Sequence, residues 1–109
     1  MSYRIKIHTP EGVSEAQRIA AEARFRDALV ANLGSDEMIA PVYAMYRQLV
    51  VVYGETPDVE SMTESERAVF ESWQLAETAA MIAAFGTHRY LDEGGFELTL
   101  LDEDAQQGV

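Results

Sequence analysis

The stretch TESERAVFESWQLAETAAMIAAF, residues 63–85, decides how the rest of this chain folds. Thr63 and Glu66 have the spacing of a capping box, in which each side chain accepts a hydrogen bond from a free backbone N–H at a helix start. Every residue in 79–85 is apolar, so we expect the second half of the helix to be buried on all sides. Apolar residues recur at helical intervals before and within that run, at Val69, Phe70, Trp73, Ala76, Ala80 and Ala84.

The segments around this helix predict strands at both ends of a small domain. Residues 3–8 alternate between apolar and polar side chains, which is the period of a half-buried strand. Ser14 and Gln17 form a second candidate capping box, and the helix that they start continues to about Leu33. Residues 96–100 alternate again. We expect this strand to pair with the N-terminal one, because a lone strand leaves its backbone groups without partners.

Two segments are ambiguous. Residues 49–53, LVVVY, have the composition of a strand, yet the apolar positions of residues 42–53 keep helical spacing, and we favour a helix. Residues 87–91 form either the first arm of a hairpin or the end of the preceding helix. With either outcome the predicted class is α+β: an N-terminal strand, three helices, and a C-terminal strand or hairpin that completes a small antiparallel sheet packed on the helices.

The length of 109 residues corresponds to one ordinary domain. We assign residues 1–101 to a single globular domain and the acidic residues 102–109 to a flexible tail. The chain contains no cysteine, which excludes disulfides and thiolate metal sites. Its N-terminus lacks the apolar stretch of a secretory signal, and no apolar run approaches the ~20 residues that span a membrane. We therefore expect a cytoplasmic protein without membrane contact.

The net charge of −11 is confined to the second half of the chain. Residues 1–54 contain six acidic and six basic residues, whereas residues 55–109 contain thirteen acidic and two basic ones. Such a charge disfavours nucleic-acid binding, which depends on Lys and Arg, and favours a protein partner with a basic surface. The ordinary alternative is that the acidity only keeps the protein soluble. The residues that we predict to bind the partner are Asp58, Glu60, Glu64 and Glu66.

A helix over residues 42–53 would have a wider apolar surface than one core contact requires. Only Ala44, Arg47, Gln48 and Val51 would face water. A surface of this width suits a central helix or a homodimer interface, and aromatic residues are common in both settings. The residues that we predict for such an interface are Tyr43, Tyr46, Val50 and Tyr53.

The sequence has no recognisable catalytic motif. It lacks a GxSxG elbow and both glycine-rich nucleotide-binding motifs. His8 and His88 are the only histidines; with nearby carboxylates they could form a metal site or an acid–base pair, but no HxH or HxxxH spacing supports one. Glu77 is either a buried or interface carboxylate or, more ordinarily, a solvated one at the helix edge. We therefore predict no catalytic residue, metal or cofactor.

Three functions are compatible with these observations. The one that we favour is a small non-enzymatic bacterial or phage factor, of the inhibitor, immunity or anti-defence type, that binds a basic protein surface. The second is a homo-oligomeric structural or accessory protein. The third is a small ligand-binding protein or enzyme that uses His8 and His88.

Overall fold

The computed structural model describes residues 2–9, 11–86 and 95–101. Strands β1 and β2 pair in an antiparallel two-stranded sheet, and the predicted α+β class with three helices and a sheet of terminal strands is confirmed. Residues 87–91 and the predicted tail lie outside the described residues. The elements, in chain order, are β1 (Ser2–Ile7), α1 (Glu15–Leu33), α2 (Ile39–Tyr53), α3 (Glu64–Phe85) and β2 (Phe96–Leu101), with short 3-10 turns at Asp36–Met38 and Val59–Ser61.

Both predicted capping boxes form. The Ser14 hydroxyl accepts a hydrogen bond from the Gln17 N–H at 3.2 Å, and the Gln17 side chain accepts one from the Ser14 N–H at 2.9 Å. In α3, Thr63 and Glu66 make the same reciprocal pair, at 3.1 and 2.9 Å. The boxes satisfy backbone N–H groups that a helix start otherwise leaves free.

Residues 49–53 are helical, so the helical spacing predicts this segment correctly and the strand-like composition does not. Buried positions of α2, such as Val42 and Leu49, lie on the predicted apolar face. The predicted water-facing strip is too narrow, however, because Met45 is 45% exposed and Val52 is 68% exposed. α2 therefore buries one face and leaves aliphatic side chains on its flank.

The core lies between the sheet and the helices, with Trp73 of α3 at its centre. Trp73 is fully buried, and its ring lies 4.8 Å from that of Tyr43, between centroids. Phe25 of α1 contacts Phe96 of β2 at the same centroid distance. Burying one large apolar side chain contributes about 1.5–3 kcal/mol. The largest fully buried side chains are those of Trp73, Phe25, Ile7, Leu29, Ile39 and Met81.

The expectation that residues 79–85 are buried on all sides is wrong. Ala80, Met81 and Ala84 are buried, but Ile82 is 45% exposed and Ala83 is also exposed. The physical reason is that two neighbouring helices and a two-stranded sheet cover only part of the circumference of α3. Single exposed apolar residues are common in folded proteins, so the helix tolerates this stripe.

Candidate interaction surfaces

The predicted acidic residues lie where α2 is joined to α3. Glu60 and Glu64 are exposed, as is Glu55, and none of these carboxylates has an ion-pair or hydrogen-bond partner among the described residues. Asp58 is also exposed, but its carboxylate accepts a hydrogen bond from the Glu60 N–H at 3.0 Å and caps the 3-10 turn. Three carboxylates of this connection are therefore free for a partner, and the fourth stabilises the local backbone.

Glu66 connects two helices. Its Oε1 accepts one hydrogen bond from the Thr63 N–H and another, at 2.8 Å, from the hydroxyl of Tyr53 at the end of α2. The backbone donor of Thr63, followed by the Tyr53 hydroxyl, lowers the pKa of Glu66. The same bond raises the pKa of Tyr53. The Glu66 carboxylate thus holds the end of α2 against the start of α3, a role that the three free carboxylates do not have.

Two exposed valines come shortly before the free carboxylates in the chain. Val51 and Val52, in the last turn of α2, are 75% and 68% exposed and directly precede the acidic connection. Protein interfaces combine an apolar centre with a polar or charged rim. We refer to Val51, Val52, Glu55, Glu60 and Glu64 as the acidic patch.

The residues predicted for a homodimer interface make contacts within one chain. The ring of Tyr43 packs against Trp73, and that of Tyr46 lies 5.4 Å from Phe70 between centroids. Tyr53 donates to Glu66, and Val50 is half-buried. Packing between α2 and α3 therefore accounts for the three aromatic rings without a second subunit.

His8 and Glu97 form a pair across the sheet. The His8 Nε2 lies 3.2 Å from a Glu97 carboxylate oxygen, and the two side chains are 43% and 63% exposed. Such an exposed pair contributes at most about 1 kcal/mol. His88 lies outside the described residues, and the described residues contain no group of three or more side chains that could hold a metal ion.

An open groove of about 720 Å³ follows β2, and no local sequence pattern indicates it. One wall is formed by β2 and the other by side chains from α2 and α3, including Tyr46 and Glu77. Glu77 is half-buried, and its Oε1 accepts a hydrogen bond from the Trp73 Nε1–H at 3.2 Å. Burial raises the pKa of Glu77 above its ordinary value. Glu77 therefore lies between the two alternatives, half-buried at the edge of an open groove, and its spacing of four residues from Trp73 is the local signal for the contact.

Comparison with known proteins gives no relative from which a function could be transferred. No protein-family model matches the chain, and no match was found among curated proteins or solved structures. Within residues 2–9, 11–86 and 95–101, no helix combines the length and the hydropathy needed to cross a membrane. The surfaces of the molecule are therefore the basis on which we infer its function.

Proposed function

We propose that this protein is a non-enzymatic interaction factor that binds a basic surface of another protein through its acidic patch. The observation that carries the proposal is the exposure of Glu55, Glu60 and Glu64, which have no cation partner among the described residues, in the connection that follows the exposed Val51 and Val52 at the end of α2. Covering apolar surface contributes roughly 25 cal/mol per Å². A partner that covers the two valines would therefore gain free energy, and its Lys or Arg side chains would pair with the carboxylates of the connection that follows them.

The charge distribution supports the same partner class. All of the net charge of −11 comes from residues 55–109, and the acidic patch includes the beginning of that half. A field of one sign accelerates association with an oppositely charged protein, and salt screens it. Within this proposal the protein acts in the cytoplasm as an inhibitor, immunity or anti-defence factor, and its affinity for the target falls as ionic strength rises.

The experiment uses two variants with the same change in charge. The first, E55K/E60K/E64K, reverses the three free carboxylates and leaves the capping residues Asp58 and Glu66 unchanged. The second, E11K/D27K/E37K, reverses three exposed acids elsewhere in the chain. Wild-type protein is used to isolate a binding partner from cells of the source organism, and the Kd of the purified pair is then measured at low and high salt.

We expect the first variant to weaken binding by about tenfold or more, and the second to change it much less. A third variant, V51S/V52S, tests the apolar centre and should also weaken binding, without removing the salt dependence. Equal affinities for the two charge-reversed variants would show that the acidic patch is not the binding surface. Circular dichroism of each variant establishes that the fold is retained.

A further inference from the structure

The outer edge of β2 has backbone groups without partners among the described residues. In an antiparallel pair, residues directly opposite each other alternate between exchanging two hydrogen bonds and exchanging none. The His8 N–H donates to the Gly95 carbonyl at 2.9 Å. His8 and Gly95 are therefore a hydrogen-bonded pair, and the next pair, Ile7 and Phe96, is not. Every second residue of β2 therefore directs its N–H and C=O away from β1. These residues are Phe96, Leu98 and Leu100.

The groove follows this unpaired edge. Residues 96–100 all line it, whereas its described lining includes no residue of β1. Five residues of a strand extend about 17 Å. The opposite wall carries the rings of Tyr43 and Tyr46, which supply apolar surface. The space beside β2 thus combines a row of free hydrogen-bonding groups with an apolar wall, which is the arrangement that accepts an additional strand.

Glu77 gives the groove a chemical preference. Its half-buried carboxylate has a neutral partner, the Trp73 indole, and no cation among the described residues pairs with it, although Arg47 also lines the groove. Glu77 and Tyr46 both line the groove, and the charge of Glu77 contributes, after burial, to the raised pKa of Tyr46. A partly desolvated carboxylate is stabilised by an opposite charge. A Lys or Arg side chain that entered the groove would supply that charge and contact the Tyr46 ring.

The described strands offer no free strand with the required charge. β1, which carries Arg4 and Lys6, is already paired with β2, and a second copy of β2, FELTLL, contains no basic residue. Residues 102–109 contain three acids and no base, whereas residues 87–91, the predicted hairpin arm, contain Arg89; both segments lie outside the described residues. We propose that the groove binds an extended segment of a partner protein, which adds to β2 as a third strand and directs a Lys or Arg side chain to Glu77. This site is separate from the acidic patch, and it does not depend on the function proposed for that patch.

The test uses the full chain, isotope-labelled for NMR, and the peptide acetyl-TVTKTVT-amide. In an extended peptide of this sequence the lysine and both valines share one face, because side chains alternate along a strand. We expect the peptide to slow hydrogen exchange at the amides of Leu98 and Leu100 by about tenfold or more. The amides of Glu97 and Thr99, which already face β1, should change little. A peptide N-methylated at alternate residues should have no such effect, because it cannot complete the ladder.

Two matched changes test the role of charge. Replacing the lysine of the peptide by glutamine, or changing Glu77→Gln in the protein, should each weaken binding by about tenfold. Making both changes should weaken it little further, because the two groups act on each other. Glu71→Gln, which removes an exposed carboxylate of α3 outside the groove, should leave the affinity unchanged. The variant E55K/E60K/E64K should retain peptide binding, which separates this site from the acidic patch.

Three results would overturn the proposal. Protection of the Leu98 and Leu100 amides in the free protein at all concentrations would mean that the chain covers its own edge. Protection that appears only as protein concentration rises would assign the edge to a second copy. Unprotected amides that stay unchanged at millimolar concentrations of TVTKTVT would exclude a lysine-bearing strand as the occupant.

Discussion

The two outer edges of the sheet have different surroundings. At the edge of β1, the Ile7 N–H donates to the Glu22 carboxylate of α1 at 2.9 Å, and the Tyr3 hydroxyl donates to Asp36. At the edge of β2, the equivalent backbone groups face an open groove. Natural proteins commonly block edge strands, because a free edge can pair with other chains. At the β1 edge a side chain of α1 satisfies one backbone N–H, although Tyr3 and Ile5 also border an open pocket of about 860 Å³. At the β2 edge, residues 2–9, 11–86 and 95–101 supply no such partner.

Glu22 is the residue of α1 that satisfies a backbone donor at the β1 edge. Its carboxylate accepts the hydrogen bond from the Ile7 N–H and also pairs with Arg18, one helical turn earlier. Arg18 also pairs with Glu15, an exposed residue that does not contact the strand. Comparing variants of Glu22 and Glu15 therefore separates the stability that comes from the hydrogen bond to β1 from the stability of a surface ion pair.

The largest effect that we predict is for Glu22→Ala. The change leaves the N–H of the fully buried Ile7 without its acceptor, and such a loss costs about 1–3 kcal/mol. Glu15→Ala removes only the surface pair with Arg18 and should cost less than about 1 kcal/mol. Urea denaturation measures both free energies of unfolding. Equal losses in the two variants would contradict the role of Glu22 in closing the edge.

Tyr3→Phe should have an intermediate effect, of about 0.5–1.5 kcal/mol, because it removes the hydrogen bond to Asp36 from the same edge. Burial, with the Asp36 hydrogen bond as the next cause, raises the pKa of Tyr3 to about 12. The stabilisation is therefore fully present below the ordinary tyrosine pKa, about 10. It is lost as pH rises from there through the raised pKa. The difference in phenolate absorbance between wild type and Tyr3→Phe should give this pKa directly; a value near 10 would mean that the phenol is solvated.

The smallest effect that we predict, and one of opposite sign, is for Glu77→Gln on the open side. Burial raises the pKa of Glu77, so the folded state holds that proton more tightly than the unfolded chain does. Ionised Glu77 consequently costs stability at pH 7, and the neutral variant should be slightly more stable than wild type. The gap should close as pH falls through the raised pKa to the ordinary glutamate value of about 4.3. Thermal unfolding at several pH values measures the difference in stability between wild type and Glu77→Gln, with Glu71→Gln as the control. A Glu77→Gln variant that is less stable than wild type at pH 7 would show that ionised Glu77 does not destabilise the fold.

Features that depend on residues close together in the sequence could be predicted. The capping boxes at Ser14 and Thr63 need only a three-residue spacing, and the helical identity of residues 49–53 follows from the periodicity of the preceding turns. The pairing of β1 with β2 could also be predicted, because strands must find partners and two clear strands were present. The structure confirms all of these predictions.

Features that depend on how many elements surround a residue could not be predicted. The apolar composition of residues 79–85 indicates a helix that tolerates burial, but not whether neighbours cover Ile82. The groove requires the position of β2 relative to α2 and α3, which no local pattern contains. Even the spacing of Trp73 and Glu77 indicates only that the two side chains can meet, not that the carboxylate lies beside a free strand edge.

The pairing of the first strand with the last has a consequence for biosynthesis. β2 leaves the ribosome roughly 90 residues after β1, a delay of roughly 5–20 s at ordinary rates of translation. During that interval the nascent chain carries an alternating apolar strand whose partner does not yet exist. Arg4 and Lys6 occupy its exposed positions, and charges of this kind discourage pairing with other nascent chains. These two cations would therefore disfavour pairing with other chains during synthesis, and Lys6 lies opposite Glu97 in the finished sheet.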